Sequence, residues 1–400
     1  MKKRVRFRHV VYNRLLRGPV RLFGILKFGY HSKEIYKIKK DENVIVLSNH
    51  QTDFDPLWVT IGFNRPLYFV ATDTLFSSKI GGGFLKHVFA PIPKKKGDID
   101  PNCVKGIIKT IKEGGSVAIF PEGNRTYAEF QFFIDVSIAR LVKKLNKPLI
   151  LYNLCGGTGV NPRFSKKLRK GPYYGYVKKV IRPEEYESMS NEELLQIIKD
   201  NLRVYDSESH QLYKSKTRGE NLERMLFVCP KCKKAQTLHS HDEFIRCSSC
   251  GLEVEYTEDM HFKSKDPSFK FDTTNKWYEF QKRWVLDFDI DTNEDIFEDD
   301  NVKVFLANPN MKRELLSEGK LILTKNLLKT NNLNIDVKDI RIASVVSGRK
   351  FNFSTSENEY LVVGDKKFNP LKYVLMFNRL DTYMKEHHSD KYYNLEEGEK

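Results

Sequence analysis

A histidine and an aspartate five positions apart follow an apolar stretch near the start of the chain. In "VIVLSNHQTDFDP", His50 comes just after a predicted strand at 44–48, and Asp55 just before Pro56. An imidazole accepts a proton from an alcohol near neutral pH, and a carboxylate orients it and stabilises the imidazolium. On a continuous helix the two side chains would diverge by about 140°, so an intervening turn is needed to join them. The pattern indicates general-base chemistry, although a helix cap at Asp55 beside an uninvolved histidine explains it equally well.

A second polar cluster follows another apolar stretch, "SVAIF" at 116–120, and contains Glu122, Gly123, Arg125 and Thr126. Glycine lets the backbone approach a ligand, and the arginine guanidinium is a planar fork of donors suited to phosphate. Alone, the cluster is equally a turn with a surface arginine. Open α/β sheets expose their sites at the carboxyl ends of strands, so two such clusters in one domain favour a functional site.

The elements that position these clusters alternate between short apolar stretches and amphipathic ones. Strands are predicted at 44–48, 66–71, 116–120, 148–154 and 173–181, and helices at 56–62, 102–113, 130–145 and 190–204. Such alternation predicts an α/β domain in which helices flank a central sheet. We place this domain at residues 41–208.

Together, the two clusters resemble the conserved blocks of a known enzyme family. "NHQTDFD" is similar to the Asn-His-x4-Asp block, and "FPEGNRT" to the Phe-Pro-Glu-Gly-Thr-Arg-Ser block, of the glycerolipid acyltransferases typified by 1-acylglycerol-3-phosphate acyltransferase. The order and the separation of about 70 residues also match, and the likeness covers residues 25–205. The resemblance implies transfer of a fatty acyl chain from an acyl thioester, on coenzyme A or acyl carrier protein, to the hydroxyl of 1-acylglycerol-3-phosphate or a related lysophospholipid in phospholipid biosynthesis.

The resemblance also implies roles for individual residues. His50 would be the general base on the acceptor hydroxyl, and Asp55 would orient it. The acceptor site and its phosphate contacts would be formed by Glu122, Gly123, Arg125 and Thr126. Asp53, although closer to His50 in sequence, has no counterpart role in this scheme.

Two departures from the family pattern keep alternatives open. Where the family's middle block usually has an arginine, this chain has Lys94, Lys95 and Lys96, which supply charge without a bidentate fork, so the lysine that contacts phosphate stays open. "FQFFIDVSIARLV" also lacks the glycine expected after the third block. The alternatives are another acceptor, such as glycerol-3-phosphate, and a non-catalytic lipid-binding scaffold that kept the fold.

The net charge of +16 is concentrated at the N-terminus, where residues 1–40 hold 13 Lys or Arg and one acid, Glu34. These cations alternate with apolar residues, which predicts a basic amphipathic arm on an anionic membrane surface. Cations also interrupt every window of about 20 residues that a bilayer-spanning helix needs. We therefore predict a peripheral or monotopic protein on the cytosolic face of the bacterial cell membrane, with lipid and not nucleic acid as its partner. A helix that covers the domain's own core is the alternative.

Four of the six cysteines form the pairs "CPKC" and "CSSC", separated by 14 residues. This spacing is typical of four thiolates around a tetrahedral zinc ion. The predicted ligands of this structural zinc are Cys229, Cys232, Cys247 and Cys250, in a zinc ribbon at 222–256. The two remaining cysteines stand alone, which does not indicate a secreted disulfide scaffold, and a reducing compartment fits better.

The last part of the chain has a different pattern. From residue 318 onward, apolar and polar residues alternate between turn residues, which predicts antiparallel strands. A closing helix follows, with Asn369 as N-cap and Pro370 at its first position. We predict a β-rich domain at 275–390 that resembles pleckstrin-homology or GRAM domains in outline. The acidic stretch at 287–300 is interpreted as a solvated face, because it lacks the glycine and terminal glutamate of a calcium loop.

Overall fold

The computed structural model describes residues 4–72, 87–94, 100–292, 295–308 and 313–387. The chain divides into two compact units. The N-terminal unit comprises Met1–Ser215 and Glu258–His261, and the C-terminal unit comprises Lys216–Thr257 and Phe262–Lys400.

A mixed seven-stranded sheet forms the centre of the N-terminal unit. Its strands are β1 (Tyr30–Ser32), β2 (Ile45–Ser48), β3 (Leu67–Thr72), β4 (Ile92–Lys94), β5 (Ser116–Ile119), β6 (Leu149–Cys155) and β7 (Tyr173–Ile181). They lie in the order β1-β7-β6-β2-β5-β3-β4, and only the β6–β7 pair is antiparallel. Every residue of β2 is buried, as expected for a parallel strand covered on both faces. Because β2 and β5 are parallel neighbours, the loops that follow them leave the sheet side by side.

Helices pack against this sheet and bury a shared core. They are α1 (Phe7–Phe23), α2 (Asp55–Ile61), α3 (Pro101–Lys112), α4 (Ser137–Leu145), α5 (Gly157–Val160), α6 (Pro183–Tyr186) and α7 (Asn191–Leu202), and a π-helix, Gly24–Phe28, continues α1. The predicted strands are confirmed to within one residue at each end. Sequence signals also explain helix starts: the Asp100 carboxylate accepts from two N–H groups at the start of α3, and Ser190 and Glu193 form a capping box on α7.

One helix begins later than the sequence pattern predicts. The periodicity predicted a helix over 130–145, whereas α4 begins only at Ser137. The Phe132 N–H donates to the Glu122 carboxylate over 2.9 Å, and the Phe130 carbonyl accepts the Thr126 hydroxyl over 3.0 Å. The second bond uses a carbonyl that the first helical turn would otherwise engage, and both bonds hold the segment before α4 as a loop against the loop after β5.

The C-terminal unit contains two antiparallel sheets. The first has the order β11-β10-β9-β8, formed by β8 (Leu238–His241), β9 (Phe244–Cys247), β10 (Glu253–Tyr256) and β11 (Phe262–Lys263). Helix α8 (Thr274–Leu286) follows. The second sheet has the order β15-β14-β13-β12-β18-β17-β16, formed by β12 (Asp295–Leu306), β13 (Glu314–Thr324), β14 (Leu327–Thr330), β15 (Asn334–Asp336), β16 (Ile342–Ser347), β17 (Lys350–Ser354) and β18 (Glu359–Val363).

Helix α9 (Pro370–His387) closes the C-terminal unit as predicted, with the Asn369 side chain accepting the Lys372 N–H over 3.1 Å. The acidic stretch differs from its prediction, because its end belongs to β12. Phe297 is buried there, and Asp299 forms an ion pair with the buried Lys372 over 2.6 Å. Side chains alternate between the two faces of β12, so some residues of the acidic stretch point into the core. The number of acidic residues alone did not indicate this.

Candidate active site

His50 lies in the loop after β2, and Asp55 is the first residue of α2. His50 Nδ1 is 2.8 Å from Asp55 Oδ2. The aspartate side chain is fully buried, whereas the histidine side chain keeps 18% of its surface exposed. Because the carboxylate oxygen accepts a proton from Nδ1, the other ring nitrogen, Nε2, carries the lone pair. The pair therefore has the arrangement of a histidine base oriented by a carboxylate.

Asp55 is held by five hydrogen bonds from four residues. Besides His50, its Oδ2 accepts the N–H groups of Gln51 and Thr52 over 2.6 and 2.9 Å. Its Oδ1 accepts the hydroxyls of Thr52 and Tyr173 over 2.6 and 2.9 Å. The interpretation of Asp55 as a helix cap is wrong, since α2 has no side-chain cap and the carboxylate turns back toward the loop. Five donors fix the carboxylate in the orientation that the imidazole requires.

The loop after β5 packs directly on the loop after β2. The Thr126 N–H donates to the His50 carbonyl over 2.9 Å. The Phe120 ring stacks on the imidazole, with centroids 4.3 Å apart and planes inclined by 19°. The structure thus brings the two sequence clusters together. Phe120 is the residue that sequence reasoning did not assign as a contact of the histidine.

Glu122 lies inside this junction. Burial raises the pKa of its carboxyl to about 7, while hydrogen bonds from the backbone N–H groups of Phe132 and His50 oppose the rise and the charge of Asp55 adds to it. The carboxyl therefore joins the His50 loop to the segment before α4. This placement helps to fix the backbone of the loop that carries the His50 imidazole.

Thr126 and Gly123 differ in what they offer to a ligand. The Thr126 hydroxyl donates to the Phe130 carbonyl over 3.0 Å and is directed into its own loop. Gly123 has φ +65°, and a Cβ added to it would meet nothing within 4 Å. A positive φ favours glycine, and the open space allows a ligand to approach the backbone.

Arg125 forms an ion pair that the sequence did not predict. Its Nη1 is 2.7 Å from Asp53 Oδ2, and the arginine side chain is 15% exposed whereas the aspartate side chain is 69% exposed. Arg163 Nη1 donates to the Arg125 carbonyl over 2.6 Å and to Asn124 Oδ1 over 3.1 Å, which pins the backbone of this loop. The guanidinium is therefore oriented beside the histidine loop and already holds an anionic group.

Residues 30–151 match the protein-family model described as Acyltransferase. The matched range covers less than half of the chain, and it contains the His50–Asp55 pair and the Arg125 loop. The chain is 30% identical over 112 residues to the 1-acyl-sn-glycerol-3-phosphate acyltransferase of Bacillus subtilis (strain 168), a match that covers 28% of this chain and 51% of that protein. The chain therefore spans about half the length of that curated relative.

Among solved structures, the chain is similar to the crystal structure of the 1-acyl-sn-glycerophosphate (LPA) acyltransferase PlsC from Thermotoga maritima. The TM-score is 0.39 at 18% identity, over 50% of this chain and 81% of that one. A likeness this distant adds nothing to the assignment of function.

A buried polar network anchors the His50 loop in the N-terminal unit. Gln51 Nε2 donates to Asp206 Oδ2 over 3.0 Å, and Gln51 Oε1 accepts the Gly157 N–H over 2.9 Å. Asp206 also accepts the N–H groups of Gly156 and Thr158 over 2.6 and 3.1 Å. Because Gln51 directly follows the histidine, this network anchors the loop to residues far along the chain. No local sequence signal pointed to it.

Of the three candidate lysines, the structure describes only Lys94. Lys94 is the last residue of β4, at the edge of the sheet and separated from β5 by β3. Lys95 and Lys96 lie outside the described residues. The structure does not connect Lys94 with the His50–Arg125 cluster.

In the C-terminal unit, the four predicted zinc ligands lie together: Cys229, Cys232, Cys247 and Cys250. The Sγ atoms of the first and last are 3.6 Å apart, those of the middle two are 3.7 Å apart, and all four lie within 4.8 Å of one another. A zinc ion with Zn–S bonds of about 2.3 Å has ligand sulfurs about 3.8 Å apart. The N–H groups of Lys233 and Gly251 donate to the carbonyls of the first cysteine in each pair over 2.9 and 3.0 Å, so both pairs adopt the same turn. The four cysteine sulfurs and the distances between them fit a zinc ion.

Proposed function

We propose that this chain is an O-acyltransferase that moves a fatty acyl chain from an acyl thioester to the hydroxyl of 1-acylglycerol-3-phosphate or a related lysophospholipid, in phospholipid biosynthesis. The His50–Asp55 pair carries the proposal, because it couples a part-exposed imidazole to a buried carboxylate within the residues that match the Acyltransferase family model. Similarity to the Bacillus subtilis enzyme supports the choice of acceptor.

In the proposed reaction, Nε2 of His50 takes the proton of the acceptor hydroxyl while the hydroxyl oxygen attacks the thioester carbonyl. A C–O bond forms, the C–S bond breaks, and the proton passes from the imidazolium to the leaving thiolate. Asp55 stabilises the imidazolium meanwhile. A thioester is already activated, so a positioned base worth about 10² to 10⁴ in rate is sufficient without a covalent enzyme intermediate.

Arg125 is proposed to bind the acceptor phosphate in place of Asp53. A phosphate oxygen and a carboxylate oxygen are equivalent partners for one edge of a guanidinium. The exposed Asp53 side chain can move away, whereas the arginine is held by its loop. Gly123 lets the phosphate approach the backbone.

An assay with the purified full-length protein tests this function. Acyl-coenzyme A and acyl carrier protein donors are each combined with 1-acylglycerol-3-phosphate, glycerol-3-phosphate, lysophosphatidylcholine and uncharged monoacylglycerol, and labelled product is measured. We expect the highest kcat/KM with 1-acylglycerol-3-phosphate and the lowest with monoacylglycerol, which offers Arg125 no anion. Lipid binding without transfer to any acceptor would contradict the proposal and favour the scaffold alternative.

We propose that α1 and the π-helix lie on an anionic membrane surface. One side faces the domain, where buried His9 bonds the Tyr68 hydroxyl over 2.8 Å. The other side exposes large apolar residues, including Phe7 at 81%, Leu15 at 66%, Leu22 at 57% and Leu26 at 76%. Intervals of seven to eight residues place the first three on the same side of α1. No helix in the described ranges is long and apolar enough to cross a bilayer.

The apolar side also carries exposed cations: Arg14, Arg21 and Lys27. Apolar residues flanked by cations suit an interface of acyl chains and anionic headgroups better than they suit nucleic acid. This placement on the cytosolic face of a bacterial cell membrane would present the active site to lipid acceptors. An acyl carrier protein remains a proposed partner if it supplies the donor.

A double variant with Leu15→Glu and Leu22→Glu tests the membrane surface. We expect its affinity for vesicles containing phosphatidylglycerol to fall at least about tenfold for each leucine, because each substitution removes an apolar side chain that the membrane would bury. Co-sedimentation measures the affinity. Leu286→Glu is the matched control, since this leucine is 60% exposed on α8 of the other unit. Unchanged binding by the double variant would rule out this surface.

We further propose that residues 222–256 form a structural zinc ribbon and residues 275–390 a pleckstrin-homology-like domain. The sulfur spacing supports the first. Seven antiparallel strands, β12 to β18, followed by α9 support the second. When bound, the zinc would supply folding energy, and the four cysteines would hold it in a closed site.

A further inference from the structure

A second group of metal-binding side chains lies in the N-terminal unit, away from the cysteine pairs: His210, Asp259 and His261. One ligand atom of each lies within 4.8 Å of the others. Nδ1 of His261 is 3.4 Å and Nδ1 of His210 is 4.0 Å from Asp259 Oδ2. The two imidazole rings are stacked, with centroids 5.1 Å apart and planes inclined by 8°. We propose that these three side chains bind a divalent transition-metal ion such as Zn²⁺.

The donor set decides the class of metal. Two imidazole nitrogens and one carboxylate oxygen suit Zn²⁺, Co²⁺ or Ni²⁺, whereas Mg²⁺ and Ca²⁺ prefer oxygen ligands throughout. Tetrahedral zinc with bonds of about 2.0 to 2.1 Å sets its ligands about 3.4 Å apart. The distance of 3.4 Å between His261 Nδ1 and Asp259 Oδ2 matches this value. The same Nδ1 lies 2.9 Å from the Asp259 carbonyl oxygen, and a bound metal would replace that contact. The His210 side chain is 71% exposed, so it can close the remaining gap by rotation.

Two left-handed residues position the ligands. His210 has φ 51° and Met260, between the other two ligands, has φ 67°. Such conformations are unfavourable for a non-glycine residue, and they cluster at ligand and active sites. The Tyr213 N–H donates to the Glu258 carbonyl over 2.8 Å and joins the two chain segments beside the site. The backbone thus holds the three side chains together before a metal binds.

The proposed site differs from the cysteine cluster in its openness. Three protein ligands leave at least one coordination position for water, and His210 is largely exposed, so the ion would exchange with solvent. The site is also close in sequence to the polar network that anchors the His50 loop. His210 is the C-cap of the short helix Ser207–Ser209, which directly follows Asp206 of that network. A bound ion would therefore order the segment that holds Gln51.

Zinc titration of tag-free, full-length protein tests the site. Isothermal calorimetry compares wild type with a double variant, His210→Asn and His261→Asn. We expect wild type to bind one more equivalent of Zn²⁺ than the double variant, whatever the cysteines hold. Each single variant should bind that equivalent about tenfold more weakly or worse, since even outer-shell changes cost this much. With Co²⁺, the added absorption should lack the near-ultraviolet thiolate band.

His241→Asn is the matched control. His241 is also an exposed histidine beside a carboxylate, 2.8 Å from Asp242 Oδ2, but it belongs to no group of three candidate ligands in the described part of the chain. This variant should bind as many equivalents as wild type. Equal stoichiometry in wild type and the folded double variant, checked by circular dichroism, would overturn the proposal. An equal loss in His241→Asn would also overturn it.

Discussion

His50→Ala is expected to lower kcat for acyl transfer about 10²- to 10⁴-fold, the contribution of one positioned general base. The substitution removes the only proposed proton acceptor for the acceptor hydroxyl. Asp55 keeps its other four hydrogen bonds, so the loop should retain its shape. Steady-state transfer of labelled acyl chains to 1-acylglycerol-3-phosphate measures kcat, and vesicle co-sedimentation should give wild-type lipid affinity.

Two comparisons make this prediction specific. His31→Ala changes an exposed histidine on β1 outside the active site and should leave kcat unchanged. Asp53→Asn removes the carboxylate of the same loop that contacts Arg125 but not the imidazole. We expect it to lower KM for phosphate-bearing acceptors, because no internal anion then competes, with little change in kcat. A kcat for His50→Ala within a factor of ten of wild type would disprove the general-base role.

Local sequence signals predicted the elements that carry the site. The apolar stretches before His50 and Glu122 are strands β2 and β5, because short, mostly apolar runs suit a sheet buried on both faces. Turn and polar residues after each strand marked the loops. The proline after Asp55 marked a helix start, but it did not reveal the direction of the carboxylate, which three-dimensional contacts decide.

The remaining contacts depend on strand order, which local patterns do not encode. Tyr173 reaches Asp55, and Asp206 reaches Gln51, across more than a hundred positions. The pairing of β2 with β5 brings Arg125 to Asp53. His210 and His261 are likewise not related by a characteristic sequence spacing, so local patterns did not predict that they lie together. By contrast, the four cysteines cluster through two short turns and one hairpin, so their spacing alone predicted their proximity.

Loss of zinc is expected to unfold the first sheet of the C-terminal unit. This sheet has four short strands, β8 to β11, too few residues for a large core of its own. Structural zinc contributes an apparent binding free energy of about 10 to 16 kcal/mol in small zinc domains, which exceeds the stability of most such sheets. Cys247→Ser should therefore remove one equivalent of zinc and the amide protection of residues 229–256 in hydrogen exchange.

Cys155→Ser is the control, because this cysteine lies on β6 of the other unit. It should keep both the zinc and the protection. The histidine site is distinguished by its donors: Cys247→Ser should abolish the thiolate-to-cobalt absorption, whereas the His210 and His261 variants should leave it intact. A Cys247→Ser protein with full amide protection over 229–256 would show that the sheet is stable without metal. The cysteine cluster would then need a role other than structural, such as thiol redox chemistry, since closely spaced thiols that do not hold metal are open to oxidation.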